Sequence, residues 1–272
     1  MPVLSELHVY PVKSCGGIPL EKTTLGARGV PGDRGWMVVD AARRFITQRS
    51  DPGLARIRTR LEPERLVLEA PGLPPLELSR SVEGPQVEVT VWNDVGQAID
   101  AGDGAAAWLG KHLGQPVRLV RWDEAFNRRP NSEWTNTGEL SFVDAFPVLV
   151  ISRASLEGLN GRLLAPLRMN RFRPNLVVDG STPFEEDRWA RIRVGGAVLR
   201  LVKPCTRCAT TTVEQESAQT GHEPLSTLAT FRRWDRGGVI FGQNAVVEVG
   251  GPIRVGDAVE VLDWSPPPVL EA

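Results

Sequence analysis

Three cysteines and three histidines leave this chain little from which to build a structural metal site. Zinc in such sites takes four Cys or His ligands at paired spacings. Only Cys205 and Cys208 are paired here; Cys15, His8, His112 and His222 stand alone. An odd count of thiols cannot all cross-link, and reduced thiols suit a cytosolic setting. No apolar run reaches the 18 residues of a membrane span, and Met1–Leu7 has no basic stretch followed by an apolar one, so neither a spanning helix nor a secretory signal is expected. The formal net charge of −1 over 272 residues argues against nucleic acid or an anionic membrane as partner. These absences together predict a soluble cytoplasmic protein that meets its partners at specific sites.

What the chain does have is short alternating segments punctuated by 22 prolines and 27 glycines. Val3–Tyr10, Arg65–Glu69, Leu76–Leu78 and Gln86–Trp92 read as strands. In the first of these Val3, Leu7 and Val9 alternate toward a core. Asp103–Leu113 reads as a helix, with Asp103 as N-cap and Gly114 as its stop. The polar stretch from Asp123 to Gly138 has no usable periodicity and is expected to be a mobile loop near a domain boundary. We therefore divide the chain into residues 1–120 and 121–272. Beyond the loop, Pro147–Ile151 reads as a strand, and Ser152 caps a helix carrying Leu156, Leu159 and Leu163. Arg191–Val202 reads as a hairpin turning at Gly195-Gly196, and Glu223–Phe231 as a short helix. The fold class expected is α+β and β-rich.

The hairpin feeds Leu201-Val-Lys-Pro-Cys-Thr-Arg-Cys-Ala-Thr-Thr-Thr-Val213. Proline cannot donate to a ladder, so the strand is expected to end at Pro204 and leave Cys205 at its exit. Lys203 and Arg207 flank Cys205, and neighbouring cations favour the reactive thiolate form. The β-branched run after Cys208 favours a further strand, which argues against a thioredoxin-like dithiol, whose motif opens a helix after a strand. Two buried structural thiols remain the simpler alternative. Elsewhere Lys13 and Ser14 precede Gly16-Gly17, Arg34 follows a glycine turn, and Arg171, Arg173 and Asn175 crowd the approach to the strand Leu176–Asp179. Guanidinium forks near strand ends suit phosphate, and an asparagine amide suits the edge of a heterocycle. Ordinary surface ion pairs would use the same residues.

Six motifs in order carry a resemblance. Tyr10-Pro-Val-Lys-Ser-Cys-Gly-Gly17, Gly32–Trp36, Ser141–Pro147, Phe172–Asn175, Cys205–Val213 and Phe241–Asn244 resemble those of MOSC proteins with an N-terminal MOSC β domain, the group that includes the mitochondrial amidoxime reducing component and its bacterial relatives. The resemblance implies an N-terminal β domain, a C-terminal MOSC β-barrel with flanking helices, and a molybdenum cofactor (Mo-molybdopterin) held between them. It implies Cys205 as the protein ligand to molybdenum and the catalytic residue. Lys13, Ser14, Arg34, Arg173 and Asn175 would hold phosphate and pterin, with Arg171 and Ser152 as lesser members. It implies reduction of N-hydroxylated compounds such as amidoximes, hydroxylamines and N-hydroxylated bases. Asp144 and Asp33 are candidate proton donors, and the loop 123–138 a candidate access path. With no further cysteines for an iron–sulfur domain, electrons are expected from a separate donor such as a flavin reductase or a ferredoxin-like or cytochrome b5-like protein. A cofactor carrier or sulfur-transfer protein using Cys205, or an interaction module with a structural Cys pair, are the competing expectations.

Overall fold

The computed structural model describes residues 1–271. In chain order the first half holds β1 (Val3–Val9), β2 (Ile18–Leu20), β3 (Lys22–Leu25), β4 (Trp36–Val39), β5 (Arg58–Leu61), β6 (Arg65–Glu69), β7 (Leu76–Ser79), β8 (Gln86–Val91) and β9 (Asp94–Asp100). Helix α1 (Asp103–Leu113) and β10 (Arg118–Trp122) follow. The second half holds β11 (Val148–Ser152), α2 (Arg153–Asn160), β12 (Leu176–Asp179), β13 (Trp189–Val194), β14 (Ala197–Thr206), α3 (Leu225–Ala229), β15 (Ile240–Val249), β16 (Gly251–Arg254) and β17 (Val259–Trp264). The protein is α+β and rich in strand, as its alternating segments predict. Among the described residues no helix is long and apolar enough to cross a membrane.

An eight-stranded sheet runs β17-β13-β14-β15-β11-β12-β1-β2, and a four-stranded sheet runs β4-β10-β9-β8. The first strand of the chain therefore belongs to the sheet of the second half, pairing antiparallel with β12. A cut between residues 120 and 121 falls inside β10, which pairs with both β4 and β9. At β1 a register shift between Leu4 and Glu6 changes which side chains face inward. Leu4, Leu7 and Val9 are buried there, whereas Val3 is exposed. With Trp189, Ile192, Leu199 and Val259 they form the largest core.

Helix α1 spans the predicted residues and ends at Gly114, whose φ of 70° is the left-handed conformation that closes helices. Its cap is Gly102, and Asp103 is instead the first helical residue, where its carboxylate accepts from Arg118 at 3.0 Å. Trp108 and Leu109 bury against a second core with Trp36, Leu54 and Leu66. Helix α2 is capped by Ser152, whose hydroxyl accepts from the Ser155 amide, and buries Leu156 and Leu159. It links β11 to β12, which run parallel, as the connection of a βαβ unit.

Two local expectations fail around Cys205. Strand β14 does not stop at Pro204 but continues to Thr206. Register shifts between Leu201 and Lys203 and between Pro204 and Thr206 let the proline sit where the ladder is irregular. Residues Ala209–Thr212 form a 3-10 turn, not a strand. The Thr211 and Thr212 hydroxyls donate to the carbonyls of Cys208 and Ala209 at 2.9 and 2.8 Å, bonds that hold the chain in a turn.

Candidate cofactor-binding site

The two sheets meet over a cavity of about 620 Å³. Its walls come from the turns after β1 and before β4, the β8–β9 turn, the loop 123–147, the approach to β12, and the irregular end of β14. Of the eight residues singled out from the sequence, Lys13, Ser14, Arg34, Arg173, Asn175 and Cys205 line it. Ser152 and Arg171 do not. Ser152 is fully buried in a network behind α2, with its amide donating to Glu186 at 3.1 Å. Arg171 points toward the Thr211 carbonyl, 3.4 Å away.

One group on the cavity wall is cationic. Lys13 is only 4% exposed and donates to the Phe142 carbonyl at 2.8 Å and to Asp144 at 2.5 Å. Burial lowers its pKa, and Asp144 opposes that shift only in part. Arg34 pairs with the buried Asp33 and donates to the Arg173 carbonyl at 3.2 Å. Arg173 donates to the Cys15 carbonyl at 2.5 Å. Its second terminal nitrogen, Nη2, is buried without a partner. Burial, with the Arg34 charge adding to it, brings the Arg173 pKa down to about 10. Ser14, Arg34 and Arg173 all have positive φ, of 68°, 46° and 57°. Non-glycine residues rarely adopt this conformation, and it clusters where function demands a particular side-chain direction.

Both guanidinium groups lie over the ring of Tyr10, at 4.3 Å for Arg34 and 4.4 Å for Arg173. The ring is 3% exposed and does not line the cavity. Burial pushes its phenol up to about 12 against the pull of the two arginines, so it stays neutral. It packs on Gly17, where an added Cβ would come within 2.4 Å of Tyr10 Cε1. Asn175 is largely committed to the backbone: its Oδ1 accepts from the Leu149 amide at 3.1 Å and its Nδ2 donates to the His8 carbonyl at 3.3 Å. One amide hydrogen is left for a ligand.

The same wall carries two sulfurs, those of Cys205 and Cys208. Arg207 Nη1 donates to Cys205 Sγ at 2.9 Å, and its Nη2 donates to the Phe172 carbonyl at 2.6 Å. Cys208 also lines the cavity, and a different guanidinium, that of Arg49, reaches its Sγ at 3.7 Å. Burial pushes the Cys208 thiol up, but hydrogen bonds with Thr210 and the Arg49 charge more than reverse this and lower its pKa. Cys15 is fully buried, and burial pushes its thiol up to about 12, which leaves it inert.

Arg49 and Trp92 gave no sequence signal, because each becomes meaningful only through the other. The Arg49 guanidinium stacks on the Trp92 ring at 4.6 Å, and Trp92 donates to Asp144 at 3.1 Å. Trp92, with φ of 57°, is the fourth left-handed residue at the cavity. The loop 123–138 contributes Arg129, Asn131 and Trp134 to the wall. Its Arg128 is buried, tied to Asp94 at 2.8 Å and to the Ser141 carbonyl at 2.6 Å. Neither candidate proton donor is free. Asp33 also accepts from the Tyr10 amide at 2.8 Å. Asp144 keeps 60% of its side-chain surface exposed. The walls around its carboxyl push it up, and the Lys13 charge more than reverses this, holding it well below the usual carboxylate range.

Among the described residues, no group of three or more His, Cys, Asp or Glu is placed to hold a metal ion. A metal at Cys205 would thus draw its other donors from a cofactor. The orphaned Arg173 Nη2, the unusual backbone at Ser14, Arg34 and Arg173 and the Cys205 sulfur in the same cavity all fit an anionic cofactor that carries a metal.

The chain matches the MOSC N-terminal beta barrel domain over residues 1–116 and the MOSC domain over residues 137–260, and it belongs to this family. Among its relatives, it is 35% identical over 94% of its length to the mitochondrial amidoxime reducing component 2 of Rattus norvegicus, covering 82% of that protein. It is 34% identical over the same share to the mitochondrial amidoxime-reducing component 1 of Xenopus laevis, covering 81% of it. It is also 32% identical over 88% of its length to a molybdenum cofactor sulfurase of Oryza sativa subsp. japonica, of which it covers only 32%.

Proposed function

We propose that this protein is a molybdenum-cofactor-dependent oxidoreductase that reduces N-hydroxylated compounds with electrons from a separate donor. The observation that carries the reading is one cavity lined both by the cations Lys13, Arg34 and Arg173 and by Cys205, whose sulfur accepts from Arg207. It lies in a chain 35% identical to a protein named for amidoxime reduction. Lys13, Ser14, Arg34 and Arg173 would hold the cofactor's phosphate and pterin, Asn175 would offer its spare amide hydrogen to the ring, and Cys205 would give the metal one sulfur. When bound, the cofactor supplies the two-electron chemistry that cleaves an N–O bond. The balance is an N-hydroxy compound, two electrons and two protons yielding the amine or amidine and water.

The residues around the cofactor set the conditions for that chemistry. Asp144, ionised across the physiological range, is a poor proton donor and instead aligns Lys13 and the Trp92 indole. Arg207 ties Cys205 to the Phe172 carbonyl, fixing the sulfur relative to the approach of β12. The loop carrying Arg129 and Trp134 lines the cavity and would be the path by which substrate enters.

The test is reduction of benzamidoxime by reduced methyl viologen, with protein expressed where the molybdenum cofactor is available. Cys205→Ala should abolish turnover, whereas Cys208→Ala should keep bound molybdenum and measurable activity. If Cys208→Ala were the inactive variant, the ligand assignment would move to Cys208. Bound molybdenum with no turnover in the wild type would instead favour a carrier or sulfur-transfer role for Cys205.

A further inference from the structure

We propose that Tyr10 is the positioning residue of the anion site: its ring holds Arg34 and Arg173 together so that the free Nη2 of Arg173 meets a phosphoryl group. The inference rests on the reading that the cavity takes a phosphorylated cofactor.

Two guanidinium groups lie within 4.4 Å of one ring centroid, so one ring serves two like charges. Only Arg34 has a carboxylate partner, Asp33; Arg173 has the Cys15 carbonyl and the ring. The negative face of an aromatic ring attracts a cation, most strongly where water is excluded. At 3% exposure the Tyr10 ring is such a place. Backbone contacts fix it from both sides. The Tyr10 amide donates to Asp33 at 2.8 Å, and its carbonyl accepts from the Arg34 amide at 2.7 Å. Gly17 is the residue that leaves room for the ring. The ring thus sits outside the cavity wall and acts through the arginines, holding both guanidinium groups in place before the anion arrives.

The experiment titrates cofactor-free full-length protein with inorganic pyrophosphate by calorimetry. Wild type should bind, and Tyr10→Phe, which keeps the ring, should bind within about twofold of it. Tyr10→Leu should bind at least tenfold more weakly, a difference of about 1.4 kcal/mol. Because Tyr10 is the chain's one tyrosine, growth on 3-fluorotyrosine alters this residue alone. Fluorine draws density from the ring face with little change of shape, so this protein should fold as wild type and bind pyrophosphate two- to threefold more weakly. Its single fluorine resonance should shift as pyrophosphate is added. Wild-type affinity in both the folded Leu variant and the fluorinated protein would overturn the assignment. So would absence of pyrophosphate binding to the wild type. Should Tyr10→Leu fail to fold, the fluorinated protein decides alone. Pyrophosphate binding that depends on the ring, in a protein with no benzamidoxime turnover, would refute the enzyme reading and leave the role of Tyr10 standing.

Discussion

Ser14, Arg34, Trp92 and Arg173 hold left-handed backbone at a cost of roughly 1–3 kcal/mol each. Only the surrounding structure can sustain that cost, and the return is two cations, a hydroxyl and an indole on the wall of one cavity. Removing one should therefore act on the ligand more than on the fold. Arg173→Ala deletes the orphaned Nη2, and a lost hydrogen bond to a charged group costs about 1.5–3 kcal/mol. We expect the molybdenum and pterin content of purified protein to fall roughly tenfold or more. Arg121→Ala, on β10 and outside the cavity, should leave both unchanged. Equal metal content in the two variants would take Arg173 out of the site. The sequence made Arg173 visible because three arginines in six residues demand anions. It hid Arg49, whose partners Trp92 and Cys208 lie far away along the chain.

At the scale of elements, α2 and β11 lean on a buried carboxylate. Glu186 is 1% exposed and accepts from the Ser152 amide and the Ser155 hydroxyl. Burial, and then the neighbouring Asp187 charge, raise its pKa. A raised acid holds its proton in the folded state where the unfolded chain has already released it. Stability is thus lost as pH climbs from the unfolded value of about 4.3 toward the folded one, and stays lost above it. Glu186→Gln should remove this loss, because its amide can accept from Ser152 and donate to the Ser155 hydroxyl. Urea midpoints between pH 4.5 and 8 should fall less steeply in the variant than in wild type, and parallel profiles would show that Glu186 does not titrate in that window. Elements such as α1 were legible because helix period and a terminal glycine agree. The end of β14 was not, because bulges admit a proline that a regular ladder excludes. Likewise Thr211 and Thr212 read as strand by propensity, but their hydroxyls found carbonyls three residues back.

At the scale of the molecule, the two halves recognised by composition share the eight-stranded sheet. β1 pairs with β12 and puts Leu4, Leu7 and Val9 into the core of the second sheet. A fragment of residues 121–272 should therefore show no cooperative thermal transition. A sharp transition near that of the full chain would mean the second half folds without β1. The alternation in Val3–Val9 announced a strand, but no local signal says which sheet a strand joins. That pairing is a long-range choice, visible only once β12 is beside it.

The same pairing has a consequence for synthesis on the ribosome. The strand that completes the larger sheet is made first, and its partner, beginning at Leu176, is made last of the two. At roughly 5–20 residues per second, on the order of ten to thirty seconds pass between them. During that interval a strand bearing Leu4, Leu7 and Val9 has only the short β2 on one side, and its other edge must be kept from finding the wrong partner.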